Sequence, residues 1–297
     1  FDNLAREADA GRLDELYGQL NIRVRTIDVS EEFLPVLLNP YFGYGSAFNP
    51  CIDCHLFMLK QAYRIMKQDN ADFLVTGEVV GQRPMSQQKG TILRMNNAIP
   101  FSELIVRPLS ARLLPETIPE QKGWVERDSL LDISGRSRKR QLALVKKFGI
   151  ADYSSPAGGY VLTEKGFAAR ARMLLNFRNK KDILVEDLRL LRLGRHFWTE
   201  QGTHIVVGRN QLENEQLGTF SSGRSLLEPA DVPGPLVLVE AGGNGEELQT
   251  AAELTAAYTT KSDSEYLAIS WNSGEEQGVI TARRRSKAEF KRMRVGS

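Results

Sequence analysis

The feature that most constrains the fold is a strand–helix–strand pattern in the first third of the chain. From Asp53 to Gln68 the apolar residues Leu56, Phe57, Leu59, Ala62, Tyr63 and Met66 recur at helical spacing. Asp72 to Thr76 (DFLVT) is a short apolar run ending at Gly77, and Leu104 to Val106 is another, so both read as strands. Asn21 to Val29 (NIRVRTIDV) alternates apolar and polar residues and predicts a further strand. Strand, helix and strand joined by short links predict a parallel α/β sheet.

Beyond this region the pattern changes. The Pro-rich stretch Arg107 to Pro119 reads as a linker, and Ser129 to Phe148, Glu164 to Asn176 and Val185 to Leu193 read as helices. Phe1 to Leu13 is polar and looks helical, without a signal-peptide pattern. From about Trp198 strands dominate: His204 to Val207, Pro235 to Val239, Tyr266 to Trp271 and Val279 to Arg283, interrupted by a helix at Gly245 to Tyr258. This predicts a separate α+β domain, which a chain of 297 residues has room for. His196, His204, Trp198 and Trp271 read as ordinary surface or core residues of that domain.

No run of eighteen apolar residues occurs, so no membrane partner is expected. The only two cysteines stand three positions apart, at Cys51 and Cys54, which argues against a secreted disulfide framework and for a cytoplasmic protein. The net charge is only +2, yet basic residues are concentrated. Arg136, Arg138, Lys139, Arg140, Lys146 and Lys147 crowd one stretch, and Arg283, Arg284, Arg285, Lys287, Lys291, Arg292 and Arg294 crowd the C-terminus. Such clusters attract phosphate backbones, although for any single charge run a solvated face is the better explanation.

The pair Cys51-Ile52-Asp53-Cys54 stands at a loop-to-helix junction, where a helix dipole favours thiolate. At this spacing two thiols can form a disulfide, carry a persulfide or ligate part of a metal or iron–sulfur site; buried structural cysteines are the plain alternative. The loop Thr76 to Gln87 follows a strand and is rich in glycine and polar side chains, a placement suited to ligand binding in open α/β sheets. An ordinary strand-to-helix turn would look the same.

Asn49 to Cys54 (NPCIDC), Phe73 to Gln87 (FLVTGEVVGQRPMSQ), Val106 to Pro115, Ile133 to Gln141 and Tyr153 to Gly159 together resemble the PP-loop ATP pyrophosphatases that thiolate tRNA, the thiouridylase-like or ThiI-like group. The resemblance implies a PP-loop (adenine nucleotide alpha hydrolase-like) sheet and an ATP-dependent sulfurtransferase that adenylates a uridine and replaces its oxygen with sulfur. ATP, magnesium and a cysteine persulfide or iron–sulfur cluster would be its cofactors. Its partners would be tRNA and a sulfur donor, either a cysteine desulfurase or a sulfur carrier, with a second copy of the chain (a homodimer) as a further candidate. On this analogy Cys51 and Cys54 carry the sulfur or ligate the cluster, Thr76, Gly77, Glu78 and Gln82 lie by the adenylate, Arg107 serves the phosphates, and Arg83, Arg136, Arg138, Lys139 and Arg140 meet RNA. The family signature SGGxDS is nowhere in the sequence, so either the first strand and ATP loop lie upstream of Phe1, the favoured expectation, or ATP chemistry has been lost. A third cysteine expected after the Pro-Ala-Gly-Gly turn is Tyr160 here, which shifts the preference from cluster towards persulfide.

A second resemblance covers roughly Gly202 to Val295. Ile205 to Leu217, Gly234 to Val239 and Ala251 to Trp271 look like the RNA-binding domain of NFACT-type proteins. It implies RNA contacts by Arg209, Asn210, Lys261, Arg283 and Arg284; a domain that only braces its neighbour or mediates dimerisation is the alternative. The expected division is residues 1–115 as the nucleotide-binding domain, 116–197 as a basic helical connection and 198–297 as the RNA-binding domain. Two rival functions accompany the enzyme: a non-catalytic RNA-binding protein that keeps the PP-loop fold, and an ATP pyrophosphatase acting on a small metabolite.

Overall fold

The computed structural model describes residues 18, 24–150, 160–240, 245–274 and 276–296. The chain divides into two compact units, residues 1–158 and 159–297. No described helix is long and apolar enough to cross a membrane.

The first unit is mostly helical. Helix α1 (Ser30–Leu38) buries Phe33, Leu37 and Leu38. Helix α2 (Cys51–Gln68) buries Cys54, Leu56, Phe57, Leu59 and Met66, realising the periodicity read from the sequence. Strand β1 (Leu74–Val75) pairs in parallel with β2 (Ile105–Val106) across α3 (Lys89–Asn97). Leu56, Leu59, Ile92, Met95, Ile99, Phe101 and Ile105 form the core beneath them. The short helix α4 (Ile118–Gln121) and helix α5 (Lys139–Lys147) complete this unit.

Several expectations change here. Among the described residues the parallel sheet is a pair of two-residue strands. A nucleotide crevice at a topological switch point needs strands on either side, and this pair supplies none. Residues 24–29 form no strand, while 21–23, the helix at Phe1 to Leu13 and the motif Tyr153 to Gly159 lie outside the described residues. The helix expected from Ser129 starts only at Lys139. Upstream, the backbone N–H groups of Leu131, Ile133 and Gly135 donate to Pro108 O, Leu109 O and Val80 O at 2.8 Å each, so they are spent on pairing rather than on a helix. The stretch read as a linker is partly built in. Ser110 is fully buried, donates from Oγ to Ile133 O at 2.6 Å and accepts from Val80 N–H at 3.0 Å.

The second unit is an α+β domain. After α6 (Lys165–Phe177) and α7 (Val185–Leu190) come β3 (Arg195–Trp198), β4 (His204–Val207), α8 (Gln211–Gly218), β5 (Arg224–Pro229), β6 (Val237–Glu240), α9 (Gly245–Tyr258), β7 (Tyr266–Asn272), β8 (Gln277–Arg283) and β9 (Arg294–Val295). The strands form one seven-stranded antiparallel sheet in the order β8-β7-β5-β6-β4-β3-β9. Helix α9 lies on one face, where Ala251, Ala252, Leu254, Ala256 and Ala257 pack against Val207, Leu227, Val237, Ile269 and Ala282. Strands β3, β5 and β9 were not foreseen.

Candidate nucleic-acid interface

In the first unit the chemistry-bearing residues converge on one buried carboxylate. Glu78 follows β1 and accepts from Arg107 Nε at 2.8 Å and from Thr76 Oγ1 at 3.1 Å on the same oxygen, Oε2. Its Oε1 lies 3.1 Å from His55 Nδ1, and His55 Nε2 lies 3.2 Å from Ser86 Oγ. With the ring proton on Nδ1, His55 donates to Glu78 and accepts from Ser86, so every contact is matched. Arg107 Nη2 donates onward to Asn96 Oδ1 at 3.3 Å. Burial alone would raise the Glu78 carboxyl, but the His55 hydrogen bond and the Arg107 guanidinium outweigh it and hold the group at about 2.

This hub ties α2, the β1 turn, α3 and β2 together. It joins Thr76, Glu78 and Arg107, three residues expected at a cofactor, and adds His55, Ser86 and Asn96, which sequence reasoning missed. Their separations of 11 to 31 positions left no local signal. Gly77 is exposed beside the hub. Cys51 is half-buried and accepts from Asn49 Nδ2 at 3.0 Å; Cys54 is buried, and both thiols are free of disulfides. Between them, buried Asp53 accepts from the backbone N–H groups of Tyr41 and Phe42 at 2.9 and 3.0 Å, fastening the preceding loop to α2. Among the described residues no group of three or more His, Cys, Asp and Glu side chains could hold a metal ion.

Gln82 Oε1 accepts from Gln141 Nε2 at 3.2 Å, and Arg83 is exposed next to it. Arg136, Lys139 and Arg140 are exposed, with Arg140 donating to Asp132 at 2.7 Å, and Arg138 is half-buried.

In the second unit the sheet has unequal faces. Opposite α9, the part around β4 and β6 is covered: Val206 and Leu238 pack with Leu190 and Leu193 at the end of α7, and with Leu217 of α8. Neighbouring residues of a strand point to opposite faces, so Leu267, Ile269 and Ala282 face α9 while Tyr266, Ser270, Val279, Thr281 and Arg283 face away. Tyr266 stands opposite Arg283 in register, and Ser270 opposite Val279. Tyr266 is 56% exposed and Val279 is 64% exposed, so this end of the sheet offers an open face with an aromatic ring.

Exposed Lys261 precedes that face, and Arg283 reaches the exposed Glu265 at 3.1 Å. Arg284 donates to Ser262 O, which anchors the segment leading into β7. Arg209 donates to Gly194 O from Nε at 3.0 Å and from Nη2 at 2.6 Å, and Asn210 caps α8 by accepting from Glu213 N–H at 3.0 Å. Both therefore also shape the turn between β4 and α8. A buried pair lies across β3 and β4: His196 Nδ1 is 2.9 Å from His204 Nε2, and Trp198 stacks on His204 at 4.0 Å. Burial, with the cationic side chains of Arg170 and Arg224 among its neighbours, pushes His204 down to about 3 and His196 down as well.

Residues 194–294 match the family described as the NFACT protein RNA binding domain. No curated protein matches the chain. Among solved structures, the C-terminal part of the fibronectin/fibrinogen-binding protein from Streptococcus suis is 18% identical, over 43% of this chain and 67% of that one. Its TM-score of 0.30 is too low for the superposition to support any structural argument. The family match corrects the reading as an ATP-dependent tRNA sulfurtransferase. The family matched is described as an RNA-binding domain and not as a transferase, and the first unit shows no PP-loop sheet among its described residues.

Proposed function

We propose that this protein binds RNA through its C-terminal sheet domain. The observation that carries the proposal is the match of residues 194–294, which spans β3 to the first residue of β9, to an RNA-binding family. The open face of β7 and β8 suits the task. Tyr266 supplies a stacking surface for a base, while Arg283 and Lys261 supply charge for phosphates. Stacking needs unpaired bases, so single strands and the loops of folded RNAs such as tRNA are the favoured targets.

Fluorescence anisotropy with labelled tRNA and with an oligouridylate tests this. Binding should weaken as salt rises, because phosphate contacts release counterions. Tyr266→Ala should lower affinity roughly tenfold, in keeping with the energy of one base stack. Full affinity in Tyr266→Ala together with Arg283→Ala would place the interface elsewhere on the domain.

A further inference from the structure

We infer that the first unit carries a second, separate RNA-docking surface, built where the turn after β1 meets the segment leading into α5. Nothing in the family match touches this region, which ends well before residue 194.

The observation is one of assembly. Val80 forms a parallel bridge with Ser134, and Gly135 N–H donates to Val80 O at 2.8 Å. Gly81 and Gly135 both have positive φ, of 76° and 82°, and a Cβ on Gly81 would stand 3.3 Å from Gly135 N. Gln141 Nε2 closes the junction on Gln82 Oε1. These contacts bring the Gln82–Arg83 turn against the basic segment more than fifty positions further along the chain.

The charge there is one-sided. Residues 133–150 hold Arg136, Arg138, Lys139, Arg140, Lys146 and Lys147 and not one carboxylate, in a chain whose 39 basic and 37 acidic residues nearly balance. Helix α5 buries none of its residues, so packing does not account for its composition. Arg136, Lys139, Lys146 and Lys147 are exposed, as is Phe148, 65% exposed, with Lys147 lying over its ring. Asp132 is the local counter-charge, taking Arg140 at 2.7 Å and Arg112 at 3.6 Å. A polyanion backbone is the complement to such a surface, and an RNA already held by the second unit is the polyanion at hand.

The test uses the whole chain and labelled tRNA. Reversing Arg136, Lys139, Lys146 and Lys147 to Glu should weaken binding and lower the slope of log affinity against log salt by about 3. The corresponding set of Gln variants, with unchanged circular dichroism, should show the same direction with smaller size. Asp132→Asn should tighten binding, which a purely structural role for the segment would not produce. Unchanged affinity and slope in both sets, with loss of binding in Lys261→Glu plus Arg283→Glu, would overturn the second surface and leave the sheet-domain reading intact. Capture by phosphatidylserine vesicles that needs these four residues, with RNA binding indifferent to them, would overturn it in favour of a membrane surface. Wild-type protein that binds no RNA would overturn both readings.

Discussion

The two units solve the same problem, a buried polar centre, in opposite ways. In the first, Glu78 is kept charged by Arg107 and by hydrogen bonds from Thr76 and His55. In the second, His196 and His204 are kept neutral by burial among arginines. A buried charge holds because partners on several elements reach it, whereas the buried imidazoles stay neutral because desolvation and nearby cations disfavour their protonated forms. The first arrangement fails when a partner is removed. The second fails when the pH falls.

The largest effect should come from breaking the charged centre. Glu78→Gln leaves Arg107, 3% exposed, without its counter-charge and should destabilise the first unit by roughly 3–5 kcal/mol. Urea unfolding followed at Trp124 would register it; a midpoint unchanged from wild type would show that the ion pair contributes little. The pH dependence separates the centres next. Glu78 ordinarily titrates near 4.5 and is held at about 2, so its contribution is complete above 4.5 and is lost as the pH falls towards 2. His204 ordinarily titrates near 6.5 and is pushed down to about 3. The unfolded chain therefore gains protons first, and the second unit should lose roughly 1.4 kcal/mol per pH unit for each such histidine below 6.5. Hydrogen exchange at pH 7 and pH 5 should show β3 and β4 weakening while the Glu78 elements hold. Equal loss in both would erase the distinction.

A smaller effect should follow from Thr76→Val, which removes one hydrogen bond to the carboxylate and should cost about 1.5 kcal/mol by the same unfolding assay. The smallest should be Arg283→Ala. It breaks an ion pair whose side chains are both 63% exposed, so stability should move by less than about 0.5 kcal/mol even if RNA affinity drops. A larger stability change would mean that Arg283 braces the sheet rather than serving its face.

What could be read in advance follows from how local each signal is. Helices α2 and α9 were legible because their apolar residues recur at helical spacing, and strands β4 and β7 because each is a short, mostly apolar run. Strand β3 (RHFW) was hidden because two of its four residues are Arg and His, and the burial of His196 depends on a partner eight positions on. Strand β5 was hidden by Glu228 and by a terminal proline. In the first unit Cys51 and Cys54 drew the eye as a compact motif, while the connected centre is Glu78. Its partners come from α2, from the end of β2 and from its own turn, and spacing along the chain does not reveal such a set. The C-terminal resemblance, by contrast, lay along one continuous stretch and was visible in the sequence.

The alanines of α9 have a consequence for how the second unit tolerates change. Ala251, Ala252 and Ala256 have no measurable exposure, and such short side chains let a helix ride close to its sheet. There is little to remove from these positions, so truncation is not their hazard. Added volume is: a single Ala→Val or Ala→Leu at this seam must push helix and sheet apart or force strained rotamers. Sequence drift in this layer should therefore be confined to residues no larger than alanine or serine.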